Sequence, residues 1–444
     1  MKPLQGQLAI IGAGWAGCAA AVEATRRGFK VTLFEATRTT GGRARRVDVV
    51  RAGEPLALDN GQHILIGAYS ETLRLMSDLG IDIKAALLRL PLTLQFPDGS
   101  GLKLPRLPAP LDALAGIVAA RGWSWRDKIS LLKVSTGWQR RQFKCAPEQS
   151  VTDLCQDLSP RIMAALIEPL CVSALNTPPE RASGQVFLRV MRDAMFSSSE
   201  ASNLLLPRLD LSALLPDAAL AWLQHRAGEI RFGARVQRMT PSGSGSKSGW
   251  ALAGEGGEPY GEFDSVVLAC PPLEAARLAQ GSTLPCNAWL TQARSLQHEA
   301  IATVYAFAPG TRLSQPMLAL RSSKAQPAQF VFDRGQLGGT PGLLAFVVSA
   351  SVGDSATLSS QVLAQAAAQL GLNDLQRIQT IVEKRATFAC SPGLERPGRH
   401  IGPGLWACGD YVAGPYPATL EGAVRSGLDA ARQLQASDRS LLIK

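Results

Sequence analysis

The sequence is poor in the residues that build metal centres. Only four histidines occur among 444 residues, and they stand apart. Cysteines at 18, 145, 155, 171, 270, 286, 390 and 408 form no CxxC pair and have no histidine cluster beside them. That spacing argues against zinc and against a disulfide framework, and suits reduced thiols in the cytoplasm. No metal site is predicted. No segment approaches the roughly 18 uncharged apolar residues of a membrane span. Leu8 to Val22 resembles a signal-peptide core in length, but three regularly placed glycines have no use there. A cytoplasmic protein is expected, in solution or peripheral on the inner face of the membrane. The formal charge is +10. The basic residues are dispersed, with no dense run and no aromatic-plus-basic module, so nucleic acid is not an expected partner.

With 46% hydrophobic and 18% charged residues, the chain has the composition of a folded protein of two or three domains. Its start reads as a βαβ unit. Leu8–Ile11 is a buried strand, Gly12–Gly17 a glycine-rich turn, Ala16–Arg27 an alanine-rich helix closed by Gly28, and Lys30–Phe34 a second strand ending at Glu35. A polar loop follows, and Ser70–Leu79 reads as a helix. From about residue 90 prolines interrupt the pattern, and helices at Leu111–Ala120 and Trp125–Lys133 open a mainly helical insertion. Three strands are predicted at Ile230–Thr240, Trp250–Gly254 and Tyr260–Cys270, with the Ser/Gly-rich stretch 242–249 turning between the first two. Strands at Ala300–Phe307 and Gly342–Ser349 and a helix at Ser355–Leu370 follow. A last strand is expected at Leu405–Asp410, then a loop and long helix over Tyr416–Leu434. No internal repeats occur. The predicted domains are a nucleotide-binding domain in three parts (1–90, 206–285, 386–444) and a discontinuous second domain (91–205, 286–385).

Gly12-Ala13-Gly14-Trp15-Ala16-Gly17 fits GxGxxG. The first glycine permits the tight turn, the second lets backbone approach a pyrophosphate, and the third lets helix and strand pack closely. The helix N-terminus offers N–H donors to phosphate. The motif alone is weak. A strand before it, a helix after it and Glu35 ending the next strand make it a dinucleotide fingerprint, with Glu35 set to accept both ribose hydroxyls. Gly402-Pro403-Gly404-Leu405-Trp406-Ala407 fits the pattern too, but a strand follows it, so it cannot cradle phosphate. One nucleotide fold is expected, with no separate NAD(P)H domain. Three features favour FAD over NAD. Gly41-Gly42-Arg43 exposes backbone and an arginine to the diphosphate or flavin edge. Phe263–Pro272 is a meander strand running into a proline turn. Gly409-Asp410 follows a late strand, and Asp410 can reach the ribityl chain or diphosphate. Glu421-Gly422-Ala423 then opens a helix aimed at the flavin pyrimidine.

These motifs together resemble the flavin amine oxidase and phytoene desaturase superfamily. Within it, the sequence is most similar to the squalene-associated FAD-dependent desaturase group, the hydroxysqualene dehydroxylases. The more specific matches are Asp59-Asn60-Gly61-Gln62-His63-Ile64-Leu65-Ile66-Gly67-Ala68-Tyr69, Ala174–Glu180 and Gly414–Ala423, and the resemblance spans nearly the whole chain. It implies an α/β fold: a Rossmann-type FAD-binding domain with a β-meander, of glutathione-reductase-like, amine oxidase type, plus a discontinuous α+β substrate-binding domain. It also implies cofactor contacts at Gly12, Gly14, Trp15, Ala16 and Gly17, at Glu35 and Ala36, and at Gly41, Gly42 and Arg43. Further contacts fall at Gly61, Gln62, His63, Val236, Ala269, Cys270, Pro271, Gly409, Asp410, Thr419, Leu420, Glu421 and Ala423.

Members of that group convert hydroxysqualene to squalene, a net reduction feeding hopanoid synthesis. Hydroxide leaves poorly, so an acid should protonate it, and reduced flavin then delivers hydride to the allylic cation. Asp59, His63 and Glu421 are candidate acids. His63 is either a donor titrating near neutrality or a backbone and flavin contact. Asp59 equally suits bracing the loop, and Tyr416 suits lining the pocket. Expected partners are a C30 isoprenoid lipid and an external electron donor, NAD(P)H or a redox protein. Arg121, Trp123, Trp125, Arg126 and Lys128, beside apolar Leu111–Ala120, suit either a membrane surface or an internal helical pair. Alternatives are a polyene desaturase or isomerase, an amine oxidase, and a prenyl-lipid escort protein that uses no flavin.

Overall fold

A computed structural model describes residues 6–108, 110–196, 200–243 and 249–441. The first strand, Gln7–Ile11, is buried along Leu8, Ala9 and Ile10. The chain then reverses at Gly12, whose φ of +113° favours glycine. The helix Trp15–Arg26 buries ten of its residues. The alanines and Gly17 among them allow close approach of the last helix, Leu420–Leu441: a Cβ on Gly427 would lie 2.1 Å from the Ala16 carbonyl oxygen.

Six strands form the main sheet in the order Glu229–Phe232, Lys30–Glu35, Gln7–Ile11, Ser265–Leu268, Leu405–Ala407, His400–Gly402. The first five run parallel and the last antiparallel. Parallel strands carry their ligands at their C-terminal ends, which fixes where a site can form. The GxGxxA look-alike is the tight turn joining the last two strands of this order, as its sequence context required.

Two predicted strands are each split in two. The stretch predicted from Ile230 to Thr240 breaks at Gly233 (φ +68°) into Glu229–Phe232 in the main sheet and Arg238–Ser242 in a three-stranded meander. Tyr260–Cys270 breaks at Asp264, whose carboxylate accepts from the Gln7 N–H. Pro259–Phe263 completes the meander with Gly249–Ala253, and Ser265–Leu268 joins the main sheet. Strands therefore flank the Ser/Gly-rich stretch, while residues 244–248 lie outside the described residues. The hairpin Arg46–Arg51 with Glu54–Asp59 stands where a polar loop was expected.

A second, antiparallel sheet is built from Met317–Ala319, Phe330–Asp333, Leu343–Ser349, His298–Phe307 and Gln376–Phe388. Side chains alternate across it. Ala302, Val304, Ala306, Val331, Phe346 and Val348 pack on the helix Ser355–Leu370. Ile301, Phe330, Phe332, Val347 and Ile381 face the main sheet across a cleft. The insertion carries the helices Leu111–Ala119, Trp125–Arg140 and Gly184–Phe196. It also carries short strands at Thr93–Gln95, Gly101–Lys103 and Leu204–Pro207, so it is less purely helical than its sequence suggested.

Candidate active site

The cleft between the sheets has a volume of about 710 Å³. Its floor is backbone. A Cβ on Gly12 would sit 2.7 Å from the Ala269 carbonyl oxygen, and one on Gly17 only 1.9 Å from that of Gly12. Gly17 therefore serves helix–strand packing and does not itself line the cleft. At Gly14 a Cβ would meet nothing nearer than 3.9 Å, so this backbone lies open. Gly41 donates its N–H to the Ala13 carbonyl at 2.9 Å, which presses the second glycine pair against the first turn. Gly42 has φ +62°, and a Cβ there would come within 3.2 Å of Gly14 Cα.

Glu35 closes one end. Its Oε2 accepts from the Ala13 N–H at 2.8 Å, and Oε1 accepts from the Thr37 N–H and hydroxyl at 2.9 Å. The carboxylate is thus held rigid by protein donors, and Oε2, with a single donor, keeps lone-pair capacity for a ribose hydroxyl. Ala36, Val236, Ala269, Cys270 and Pro271 line the same cleft.

Arg43 and Asp410, anticipated separately, form an ion pair at 2.5 Å. Arg43 also donates to the Ala386 carbonyl at 2.7 Å, which joins the glycine loop to the edge of the second sheet. Burial opposes the guanidinium's charge, but Asp410 outweighs it and holds Arg43 protonated. Gly409, Asp410, Thr419, Leu420 and Ala423 line the cleft, as do Trp15 and Ala16.

Glu421 corrects its prediction. It is fully buried away from the cleft, accepting from the Glu71 and Thr72 N–H groups and the Thr72 hydroxyl, with Arg425 at 2.6 Å. It caps the helix Ser70–Asp78, and its side chain does not line the cleft, which counts against a role as flavin contact or acid.

Asp59 also turns away. Its Oδ1 accepts from the Leu211 N–H at 2.8 Å, and Arg334 lies 3.6 Å from Oδ2. Burial lifts its pKa to about 6 against the opposing pull of Arg334. It braces the loop that presents Gly61, Gln62 and His63, and Arg334 donates onward to Gln62 at 3.1 Å. His63 lines the cleft with Nδ1 3.1 Å from the Gly61 carbonyl. Burial, helped by Arg43, lowers its pKa below the usual value. The ring is therefore neutral at physiological pH, which counts against its expected role as a proton donor there.

A second cavity of about 390 Å³ lies under the helical insertion. Leu92, Leu104, Leu111, Leu114, Ile117, Leu131, Leu132, Trp138, Phe143 and Met191 line it. It shares Ile64, Tyr69, Ser173, Ala174 and Thr419 with the first cavity, so the two meet there. Tyr416, expected beside the flavin ring, lines this apolar chamber and not the cleft. Sequence reasoning named Tyr416 and Thr419 but did not identify the leucine walls as a chamber. Leucines around a cavity have the same spacing as leucines in a core.

The fit to a flavin dinucleotide is direct. Open glycine backbone faces a helix N-terminus, a fixed carboxylate ends the second strand, and the buried Tyr411 hydroxyl, without a protein partner, borders the cleft. Cys408 is fully buried and is not among the lining residues. Among the described residues no His/Cys/Asp/Glu cluster could hold a metal.

Fold and site together define an FAD-dependent oxidoreductase. The family model for flavin-containing amine oxidoreductases matches residues 15–435, and the chain belongs to that family. A hydroxysqualene dehydroxylase of Rhodopseudomonas palustris is 28% identical over 452 residues, covering 97% of this chain and 99% of that protein. One from Sinorhizobium fredii is 26% identical and covers 95% and 96%. An oxidoreductase structure from Methanosarcina mazei superposes with a TM-score of 0.71 at 15% identity, covering 96% of this chain and 100% of that one.

Proposed function

We propose that the protein reductively dehydroxylates hydroxysqualene to squalene. One observation carries the reading: an apolar chamber opens directly into the flavin cleft. A long polyene fits such a chamber, and its reacting carbon would rest where the cavities meet. When bound, reduced FAD furnishes the electron pair and hydrogen that replace the hydroxyl. The protein's own part is to exclude water and hold the chain. Leucine and isoleucine walls keep water from an allylic cation. The neutral His63 adds no positive charge beside that cation. The reducing equivalents come from an external donor, NAD(P)H or a redox protein, since the described residues contain one dinucleotide fingerprint.

Substrate enters, on this reading, from a membrane surface. Leu111 and Leu114 line the chamber and are also exposed, so its mouth lies on the helix Leu111–Ala119. Val118, Ile129 and Trp125 (67% exposed) extend an apolar rim, flanked by exposed Arg106, Arg121 and Arg126. Trp123 and Lys128 do not belong to it. Trp123 is buried, and the Lys128 ammonium donates to the Val118 carbonyl at 2.6 Å. No helix among the described residues is long and apolar enough to cross a membrane.

The test is anaerobic incubation of flavin-reduced protein with hydroxysqualene, products read by mass. Squalene at stoichiometric yield is expected. No squalene, or a further desaturated polyene formed by oxidised enzyme, would refute the reading. Flotation with anionic liposomes at low salt tests the surface, and protein left at the bottom would exclude it.

A further inference from the structure

Dehydroxylation needs a proton at the departing oxygen, and the candidates read from sequence do not provide one. Asp59 points away from both cavities, Glu421 caps a helix, and His63 is neutral. The other nearby carboxylates are engaged: Asp410 with Arg43, Asp193 with Arg189 and Arg192, and Glu383, on the cleft wall, with the Asn60 amide and the Arg385 N–H. At the junction of the two cavities the hydroxyl-bearing side chains are Ser173, Thr419 and Tyr69. The Ser173 hydroxyl donates to the Leu170 carbonyl at 3.0 Å, and that of Thr419 to the Tyr416 carbonyl at 2.8 Å. Tyr416, edge-on to Tyr69 with ring centroids 6.1 Å apart, directs its own hydroxyl to Asp193.

We propose that Tyr69 is the proton donor to the leaving hydroxyl, an inference that rests on the dehydroxylation reading. The carbon–oxygen bond breaks with its electron pair going to oxygen. The Tyr69 phenolic proton joins that oxygen, and water departs. The allylic cation takes its hydrogen and electron pair from reduced FAD, which is left oxidised. The tyrosinate, lying opposite the cation while it lasts, then regains a proton from water. The energetics are consistent. Burial holds the Tyr69 pKa well above the usual value, with Glu421 adding to the effect and a hydrogen bond with the Thr419 hydroxyl only partly opposing it, so the proton is present at every working pH. It still transfers downhill to hydroxide, whose conjugate acid has a pKa of about 15.7.

Three proteins decide this: wild type, Tyr69→Phe and Tyr416→Phe, in single turnover with pre-reduced flavin. With hydroxysqualene, Tyr69→Phe should slow by about 10²- to 10⁴-fold, the usual weight of general-acid catalysis. Tyr416→Phe should slow less than about tenfold. With the corresponding allylic acetate, whose leaving group needs no proton, Tyr69→Phe should run at the wild-type rate. Equilibrium binding supplies a readout independent of turnover. Wild type should bind hydroxysqualene more tightly than squalene, by perturbation of the flavin spectrum, and Tyr69→Phe should lose that preference. Unchanged turnover of hydroxysqualene by Tyr69→Phe, or equal losses with alcohol and acetate, would overturn the assignment. Should the variant not fold, wild type alone suffices: a solvent isotope effect with the alcohol that vanishes with the acetate supports the donor, and equal effects refute it. Wild type that makes no squalene at all refutes the dehydroxylation reading itself.

Discussion

The glycine turns of the cofactor cleft present backbone, and positions in and just behind them exclude any side chain. Gly12, Gly17 and Gly41 each have a carbonyl oxygen within 2.7 Å of where a Cβ would stand. In the apolar chamber the walls are side chains, leucine and isoleucine above all, and away from Tyr69 no single atom is indispensable. Both cavities serve one reaction, yet they tolerate change very differently. A shape made of backbone fails abruptly, whereas a shape made of interchangeable hydrocarbons degrades by volume.

The sharpest way to break the contrast lies within one motif. Gly17→Ala forces a methyl to within 1.9 Å of a backbone oxygen that cannot move without the first strand. Loss of folded, flavin-loaded protein is expected, seen as absent yellow absorbance in the soluble fraction. Gly14→Ala meets no protein atom nearer than 3.9 Å. Its apoprotein should melt with wild type, while FAD affinity falls at least about tenfold, or 1.4 kcal/mol. Equal melting points for the two apoproteins would show that Gly17 is not a packing glycine.

Glu421→Ala should rank next. It strips a buried carboxylate from two helix N–H groups, a hydroxyl and Arg425. Breaking such a pair costs about 3–5 kcal/mol, and partial exposure of Arg425 places this case at the low end. Denaturant unfolding measures it, and the flavin content of the folded fraction should stay at wild type.

Asp59 makes a pH-dependent version of the same point. A folded pKa of about 6, against an ordinary 3.8, means the folded state binds the proton more tightly. The associated stability is fully present below about pH 3.8 and is lost as pH rises through about 6, amounting to about 3 kcal/mol. Asp59→Asn should abolish that slope in melting temperatures between pH 4 and 6.5. A slope unchanged by the substitution would place the shift elsewhere.

Leu132→Trp tests the chamber. Extra volume there should cut kcat/KM for a C30 substrate about 100-fold, roughly 2.7 kcal/mol, with flavin content unaffected. The smaller Leu132→Ile should pass almost unnoticed. That tolerance also explains what the sequence did and did not reveal. Glycines at 12, 17, 41 and 42 were readable because backbone geometry disfavours any other residue, Gly14 because the motif keeps its backbone open to a ligand, and Glu35 because its place after a strand is set by the motif. Leu92, Leu131 and Leu132 were not, since helical spacing of leucine is identical in a core and around a cavity. Tyr69 was quoted within a motif, but its position between two cavities depends on residues about a hundred and three hundred and fifty positions away, at Ser173 and Thr419. The fused strands at 230–240 and 260–270 failed for a related reason: continuous β-character does not record which sheet each half joins.

His63 gives the smallest expected effect and bears on both cavities. It lines the cleft, but burial and Arg43 hold its pKa down. The unfolded chain therefore takes up a proton near pH 6.5 that the folded chain refuses, so this contribution to stability is present above that pH and lost as pH falls below it. Catalysis should not need the imidazolium. His63→Gln retains a polar group beside the Gly61 carbonyl and should keep turnover within about tenfold of wild type, far short of the 10² to 10⁴ of a lost general acid. The kcat/KM profile of the wild type should accordingly show no limb assignable to His63 between pH 6 and 8. A limb there that the substitution removes would return the proton to the loop and take it from Tyr69.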